Sequence, residues 1–209
     1  MSARPARPPA DAAPEADRVR LGLRLREQRK AQALTLKALS ARSGVALSTL
    51  SKMELGQTSV AYVKVAAVAR ALGLDVGLLF DDPAAAPAGA DAPAVVWSSA
   101  EMSPLFRSDH YDYRMLATEF PGKRMTPLLG RIMARRREQF PDFIRHPGQE
   151  FVMVLSGRVR IAFESGEQIE LGRHESAYFD SGVGHVYLSL GRSEAEVLVV
   201  MSAAPGQAA

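Results

Sequence analysis

Apolar residues follow two different rhythms along this chain. In the first third they recur every three or four residues, the spacing of one face of a helix. Leu21 and Leu25 mark a first helix. Thr35 is placed to cap a second, with Leu36 and Leu39 turned inward. The turn Ser43-Gly44-Val45 leads into a third, with Leu50 and Met53 inward and Gly56 as its left-handed end. Val65, Val68, Ala69 and Leu72 define a fourth, closed by Gly73. Asp75 is placed to cap a fifth that carries Val76, Leu79 and Phe80. Further on the rhythm changes to short runs rich in Val, Ile, Phe and Tyr. QEFVMVL, RVRIAFE, EQIEL, SAYFD, GHVYLSL and AEVLVVMS are separated by Gly- or Ser-containing turns. Many short strands at close spacing predict an all-β barrel or sandwich.

The Pro/Ala-rich stretch DDPAAAPAGADAP, residues 81–93, separates the two rhythms and reads as a linker. The chain is therefore expected to hold an Ala/Pro-rich disordered tail at 1–17, an all-α five-helix domain at 18–80, a linker at 81–94 and a β domain at 95–205. Charge sharpens this division. Residues 18–80 carry eleven Lys/Arg against three Asp/Glu, a net +8, whereas residues 95–209 balance thirteen against fourteen. Positive charge concentrated in one domain is the footprint of contact with phosphates, although a solvated helical surface has the same composition. The chain has no Cys, which excludes disulfides, thiolate metal sites and thiol redox chemistry. No apolar run approaches the ~18 residues of a membrane span. The first residues lack the apolar core of an export signal, so the expected compartment is the cytoplasm.

The stretch LTLKALSARSGVALSTLSKMELG, residues 34–56, is helix, Gly turn, helix, the layout that lets the second helix enter the DNA major groove. With Leu21, Leu25, Arg26 and Arg29 before it and the VAxAL run at 68–72 after it, residues 19–80 resemble the phage-repressor/Cro (XRE) type of helix-turn-helix protein. The resemblance places Leu47, Ser48, Thr49, Ser51 and Lys52 at base edges. Helix phase agrees, since these residues surround the inward Leu50 and Met53. Ser, Thr and Lys can hydrogen-bond bases, and Leu47 offers only an apolar contact to a thymine methyl. Ala46 gives the third helix no side-chain cap, leaving its first N–H groups to water or phosphate. Lys37, Arg42 and Arg26 are candidates for the phosphate backbone. The resemblance pairs Arg29 with Glu54 as an internal ion pair, a structural role.

The downstream block resembles a cupin, a double-stranded β-helix barrel. RHPGQEFVMVLSGRVRI matches its first motif and LGRHESAYFDSGVGHVYLSL its second. Metal-binding cupins supply two His as H-x-H and a Glu from the first motif and one His from the second. Carried onto this chain, these become His146, Glu150 and His185, with Ile144 where the other His would stand. The second motif departs further at Gly172–Arg173, Gly184 and Ser189. Three readings stay open: a three-ligand divalent metal site, a metal-free polar pocket for a small molecule, or hydrogen-bonded structural residues. Arg145 and His174 are further polar groups nearby in sequence. The Arg135–Arg137 run, read as strand residues that alternate faces, offers at most part of itself to an acidic effector.

A helix-turn-helix joined to a cupin implies a DNA-binding transcriptional regulator, more usually a repressor, whose cupin binds a small-molecule effector. Its expected partners are double-stranded DNA, an effector and a second copy of itself. No enzymatic activity, no obligatory cofactor and no membrane association are expected. The competing reading is a cupin metalloenzyme that carries a DNA-binding module.

Overall fold

The computed structural model describes residues 13–58, 60–74, 76–79, 94–120 and 123–202. Among the described residues, four α-helices come first: α1 (Ala13–Ala31), α2 (Leu36–Ser43), α3 (Leu47–Glu54) and α4 (Tyr62–Ala71). Local chemistry sets their ends. The Thr35 side chain accepts from the Ala38 N–H at 3.0 Å and starts α2. Gly44, at φ 70°, closes α2 in the left-handed region that glycine enters without steric cost. Ala46 starts α3 with no side-chain hydrogen bond, as its methyl dictates.

Two expectations need correction here. Helix α1 begins at Ala13, inside the stretch read as a disordered tail. The expected fifth α-helix is instead a single 3-10 turn, Val76–Leu79. Four residues with a Gly among them cannot repay helix nucleation, although Val76 and Leu79 are buried as expected. The proposed cap Asp75, Phe80 and linker residues 81–93 lie outside the described residues.

The helical core gathers Leu21, Leu25, Leu39, Leu50, Met53, Val65 and Val68, all buried. A contact not read from sequence fixes α1 against α3. A Cβ on Gly22 would lie 2.9 Å from the Glu54 carbonyl oxygen and closer still to that of Met53. Both neighbours are backbone and cannot swing aside. Gly22→Ala gains ~1 kcal/mol of helix propensity but meets an overpacking cost of ~1–3 kcal/mol. The variant is therefore expected to unfold at lower urea concentration than the natural protein. An unchanged or raised midpoint would show that α1 and α3 can separate freely.

Among the described residues of the second half there are nine strands: β1 (Leu105–Arg107), β2 (Tyr111–Met115), β3 (Met125–Ile132), β4 (Gln149–Ser156), β5 (Val159–Phe163), β6 (Gln168–Leu171), β7 (Ser176–Asp180), β8 (His185–Ser189) and β9 (Ala195–Ser202). They pair in two sheets, ordered β1-β2-β3-β9-β4-β7 and β6-β5-β8, with every pairing antiparallel. Strands β4 to β9 coincide with the six runs read from sequence. On β4, Glu150, Val152 and Val154 point to the buried side, whereas β8 is buried at every position. The Arg135–Arg137 run is not a strand. Arg135 donates to the Gly191 and Arg192 carbonyls, and Arg137 opens a 3-10 turn with its guanidinium 4.0 Å above the Phe143 ring.

The two halves touch. Tyr62, the first residue of α4, packs edge-on against Phe106 of β1 and Tyr113 of β2 at ring distances of 5.8 and 5.5 Å. Among the described residues, no helix is long and apolar enough to cross a membrane.

Candidate functional site

The helix-turn-helix surface comes first in the chain. Leu50 and Met53 anchor α3 inward. Leu47, Ser48 and Lys52 are exposed, and Thr49 and Ser51 half-buried, in the arrangement read from helix phase. Lys37, Arg42 and Arg26 are exposed as well. Ser40 braces the turn by donating to the Val45 carbonyl at 2.8 Å. The expected ion pair is present and two-pronged: Arg29 Nε donates to Glu54 Oε1 at 2.6 Å and Nη2 to Oε2 at 2.8 Å. A third donor, Nη1, reaches the Leu34 carbonyl at 2.7 Å. The bond to Glu54 outweighs burial and raises the Arg29 pKa further above its ordinary value.

The second constellation sits in the β domain. His146 precedes β4, Glu150 lies on β4 and His185 opens β8; all three are buried. One ligand atom from each falls within 4.8 Å of the others. His146 Nε2 lies 2.8 Å from Glu150 Oε2, and His185 Nε2 lies 3.6 Å from the same oxygen. Burial pushes the Glu150 carboxyl up, but hydrogen bonds to both imidazoles and their charge outweigh it and hold the group at about 2. Glu150 is thus a carboxylate facing two imidazole nitrogens.

The orientation of His185 carries chemical information. Its Nδ1 lies 2.9 Å from the Val183 carbonyl, which can only accept, so Nδ1 bears the proton. Nε2 is then the nitrogen turned toward the Glu150 carboxylate. Nε2 and Glu150 Oε2, 3.6 Å apart, are placed to share a cation. A carbonyl holding Nδ1–H is also how proteins fix a metal-ligating His. Two imidazoles and one carboxylate suit a divalent first-row transition metal, so the residues present fit such an ion.

Ile144 occupies the fourth position. It exchanges both backbone hydrogen bonds with His185, at 3.1 and 3.0 Å, so the two are directly opposite and their side chains share a face. Its apolar side chain packs against the core. The other polar candidates stand apart. Arg145 pairs with Glu164, and His174 is exposed with φ 67°. Gly184, where the motif would have Pro, has Phe143 and Glu164 so close that a Cβ would lie 2.8 and 2.9 Å from them. Ser189 donates to the Ser193 carbonyl at 3.0 Å and serves the turn.

Sequence reading missed the tyrosines. The Tyr187 hydroxyl donates to Glu150 Oε1 and is wholly buried; burial first, and the Glu150 charge second, push its pKa well up. Tyr111 clamps the Tyr187 backbone, its hydroxyl accepting from the N–H at 2.8 Å and donating to the carbonyl at 3.0 Å. The signal for Tyr187 was available: it stands two residues after His185 and so shares its strand face. Nothing in the sequence tied Tyr111 to it.

Comparison with known proteins agrees with the division into a helix-turn-helix domain and a cupin domain. A family model described as "Helix-turn-helix" matches residues 25–79 and one described as "Cupin domain" matches residues 133–201. Among solved structures, the chain is similar to an HTH_3 family transcriptional regulator from Vibrio cholerae. The TM-score is 0.63 at 17% identity, over 91% of this chain and 98% of that one. It is also similar to hydroxypropylphosphonic acid epoxidase from S. wedmorenis, at TM-score 0.49 and 21% identity, over 90% of this chain and 99% of that one. No curated protein matches the chain.

Proposed function

From a chain that joins a helix-turn-helix domain to a cupin domain, we propose a sequence-specific DNA-binding transcriptional regulator, acting as a homodimeric repressor in the cytoplasm and not as an enzyme. The observation that carries the reading is the exposed α3 surface on a domain of net +8. Ser48, Thr49 and Lys52 read base edges, with Leu47 and Ser51 beside them, while Lys37, Arg42 and Arg26 hold phosphates. A single recognition helix reads few base pairs, so two copies are expected on an inverted repeat with half-sites about 34 Å apart.

His146, Glu150 and His185 form the effector end of this reading. They would hold a divalent transition metal, which when bound supplies a Lewis-acid position for an effector carrying an oxygen donor. Tyr187 fixes the free carboxylate oxygen, and the Val183 carbonyl fixes the His185 ring. The same donor set favours a second reading, a cupin metalloenzyme. Turnover of a small substrate by metal-loaded protein, unaffected by operator DNA, would select that reading.

Selection of binding sites from random duplex DNA tests the first. Affinity for the selected duplex is expected to fall steeply with salt. Ser48→Ala, Thr49→Ala or Lys52→Ala should alter base preference, with a loss of ~1–3 kcal/mol for each specific contact. An unchanged selected motif in all three variants removes them from the interface. Monomeric protein on a single asymmetric half-site rejects the dimer.

A further inference from the structure

The candidate metal centre is connected to the DNA-binding domain by an unbroken run of buried tyrosines. Tyr187 donates to Glu150 Oε1. Tyr111 grips the Tyr187 backbone at both its N–H and its carbonyl, and their rings lie 6.3 Å apart. Tyr111 and Tyr113 alternate on β2 and share its buried face, ring to ring at 5.7 Å. Tyr113 then meets Tyr62 at 5.5 Å with an interplanar angle of 62°. Tyr62 opens α4, and α4 packs on α2, the first helix of the helix-turn-helix pair. Tyr62 is only 4% exposed, and two of its ring contacts come from the β domain.

We propose that Tyr62 is a positioning residue through which occupancy of the His146–Glu150–His185 centre sets the placement of the helix-turn-helix domain, and hence its affinity for DNA. The proposal rests on reading that centre as a metal site. Its physical basis is local. A cation on the Glu150 carboxylate draws charge away from Oε1, the acceptor of the Tyr187 hydroxyl. A weaker bond there loosens Tyr187, whose backbone Tyr111 holds directly. Close-packed rings do not deform continuously, so a change at one end is passed on as a shift between discrete packings. Coupling of this kind is reciprocal: DNA must change metal affinity by the factor by which metal changes DNA affinity.

The test uses full-length protein, cobalt(II) as the metal and a duplex obtained by site selection. Cobalt binding is followed by its visible absorption and DNA binding by anisotropy with and without cobalt. The natural protein is expected to show a cobalt-dependent change in DNA affinity of about 5- to 150-fold, the usual range for coupled sites. In Tyr62→Ala the cobalt stoichiometry and spectrum should persist while that ratio falls to near one. Tyr62→Phe should keep the natural ratio, because ring packing makes the contact. Should Tyr62→Ala fail to fold, Tyr62→Leu restores part of the lost volume, still lacks the ring and is read in the same way. A variant that weakens DNA binding equally with and without cobalt has only a structural role, which overturns the proposal. So does natural protein that binds cobalt with no effect on DNA affinity. If cobalt does not bind at all, the metal reading fails separately. The wiring is then judged by DNA affinity in Glu150→Gln, Tyr62→Ala and the double variant: non-additivity beyond about twofold supports it, and additivity overturns it.

Discussion

Glu54→Ala is expected to destabilise the helical domain strongly and so weaken DNA binding, without changing any residue that would touch DNA. Arg29 and Glu54 have side chains only 11% and 7% exposed, and they join α1 to the last turn of α3. Removing the carboxylate leaves a buried guanidinium held only by the Leu34 carbonyl. Breaking such a pair costs about 3–5 kcal/mol, a large share of the ~5–15 kcal/mol that holds a typical domain together. Replacing both partners by apolar residues, Arg29→Met with Glu54→Leu, removes the uncompensated charge and should recover most of the stability. Urea titrations followed by circular dichroism measure both variants. A Glu54→Ala midpoint within error of the natural protein would mean that water reaches the pair and that it does not brace α3.

Ile144→His is expected to tighten divalent metal binding by tenfold or more, equivalent to about 1.4 kcal/mol. The new imidazole would share a strand face with His185, directly across the bridge that Ile144 and His185 form. It would bring a third imidazole to Glu150. The apolar contact of Ile144 with the core is lost, so stability should fall by ~1–3 kcal/mol even as metal affinity rises. Glu150→Gln moves affinity the other way. Loss of the anionic donor should exceed the 10–100-fold typical of a supporting residue, the range expected of Tyr187→Phe. Isothermal titration with iron(II), manganese(II) and zinc(II) separates these outcomes. Equal affinities in the natural protein and Ile144→His would show that position 144 does not face the centre. Equal affinities in the natural protein and Glu150→Gln would remove the carboxylate from the ligand set.

Much of this could be read from local pattern. Thr35 as a cap, Gly44 and Gly56 at positive φ, and inward Leu50 and Met53 all follow from short-range rules, and the structure shows each of them. The six strands from β4 to β9 were legible because their apolar runs are bounded by turn residues. Strands β1 to β3 escaped notice. Pro127 and Gly130 interrupt β3, and β1 spans three residues. The fifth helix was read from Val76, Leu79 and Phe80, and the first two are buried as expected, but the four residues Val76–Leu79 close only a 3-10 turn. Gly22 gave no sign of its role, because a glycine inside a helical pattern shows its purpose only when the neighbouring helix is in place.

The sequence by itself determined the division into a basic helical domain and a β domain, the face that α3 presents, and the identities of His146, Glu150 and His185. The first two depend on periodicity and charge, which a linear chain displays directly; the third was implied by the resemblance to the cupin motifs. Only the tertiary structure decided that the three side chains converge, that Ile144 lies across from His185, and that Tyr187 holds the carboxylate. It alone brought Tyr62 of the helical domain onto Tyr113 of the β domain. The Tyr187–Glu150 and Tyr111–Tyr187 bonds span 37 and 76 residues. Burial at period two says that a strand tyrosine points inward, but which partner it meets is set by strand order and register, and those are properties of the folded sheet.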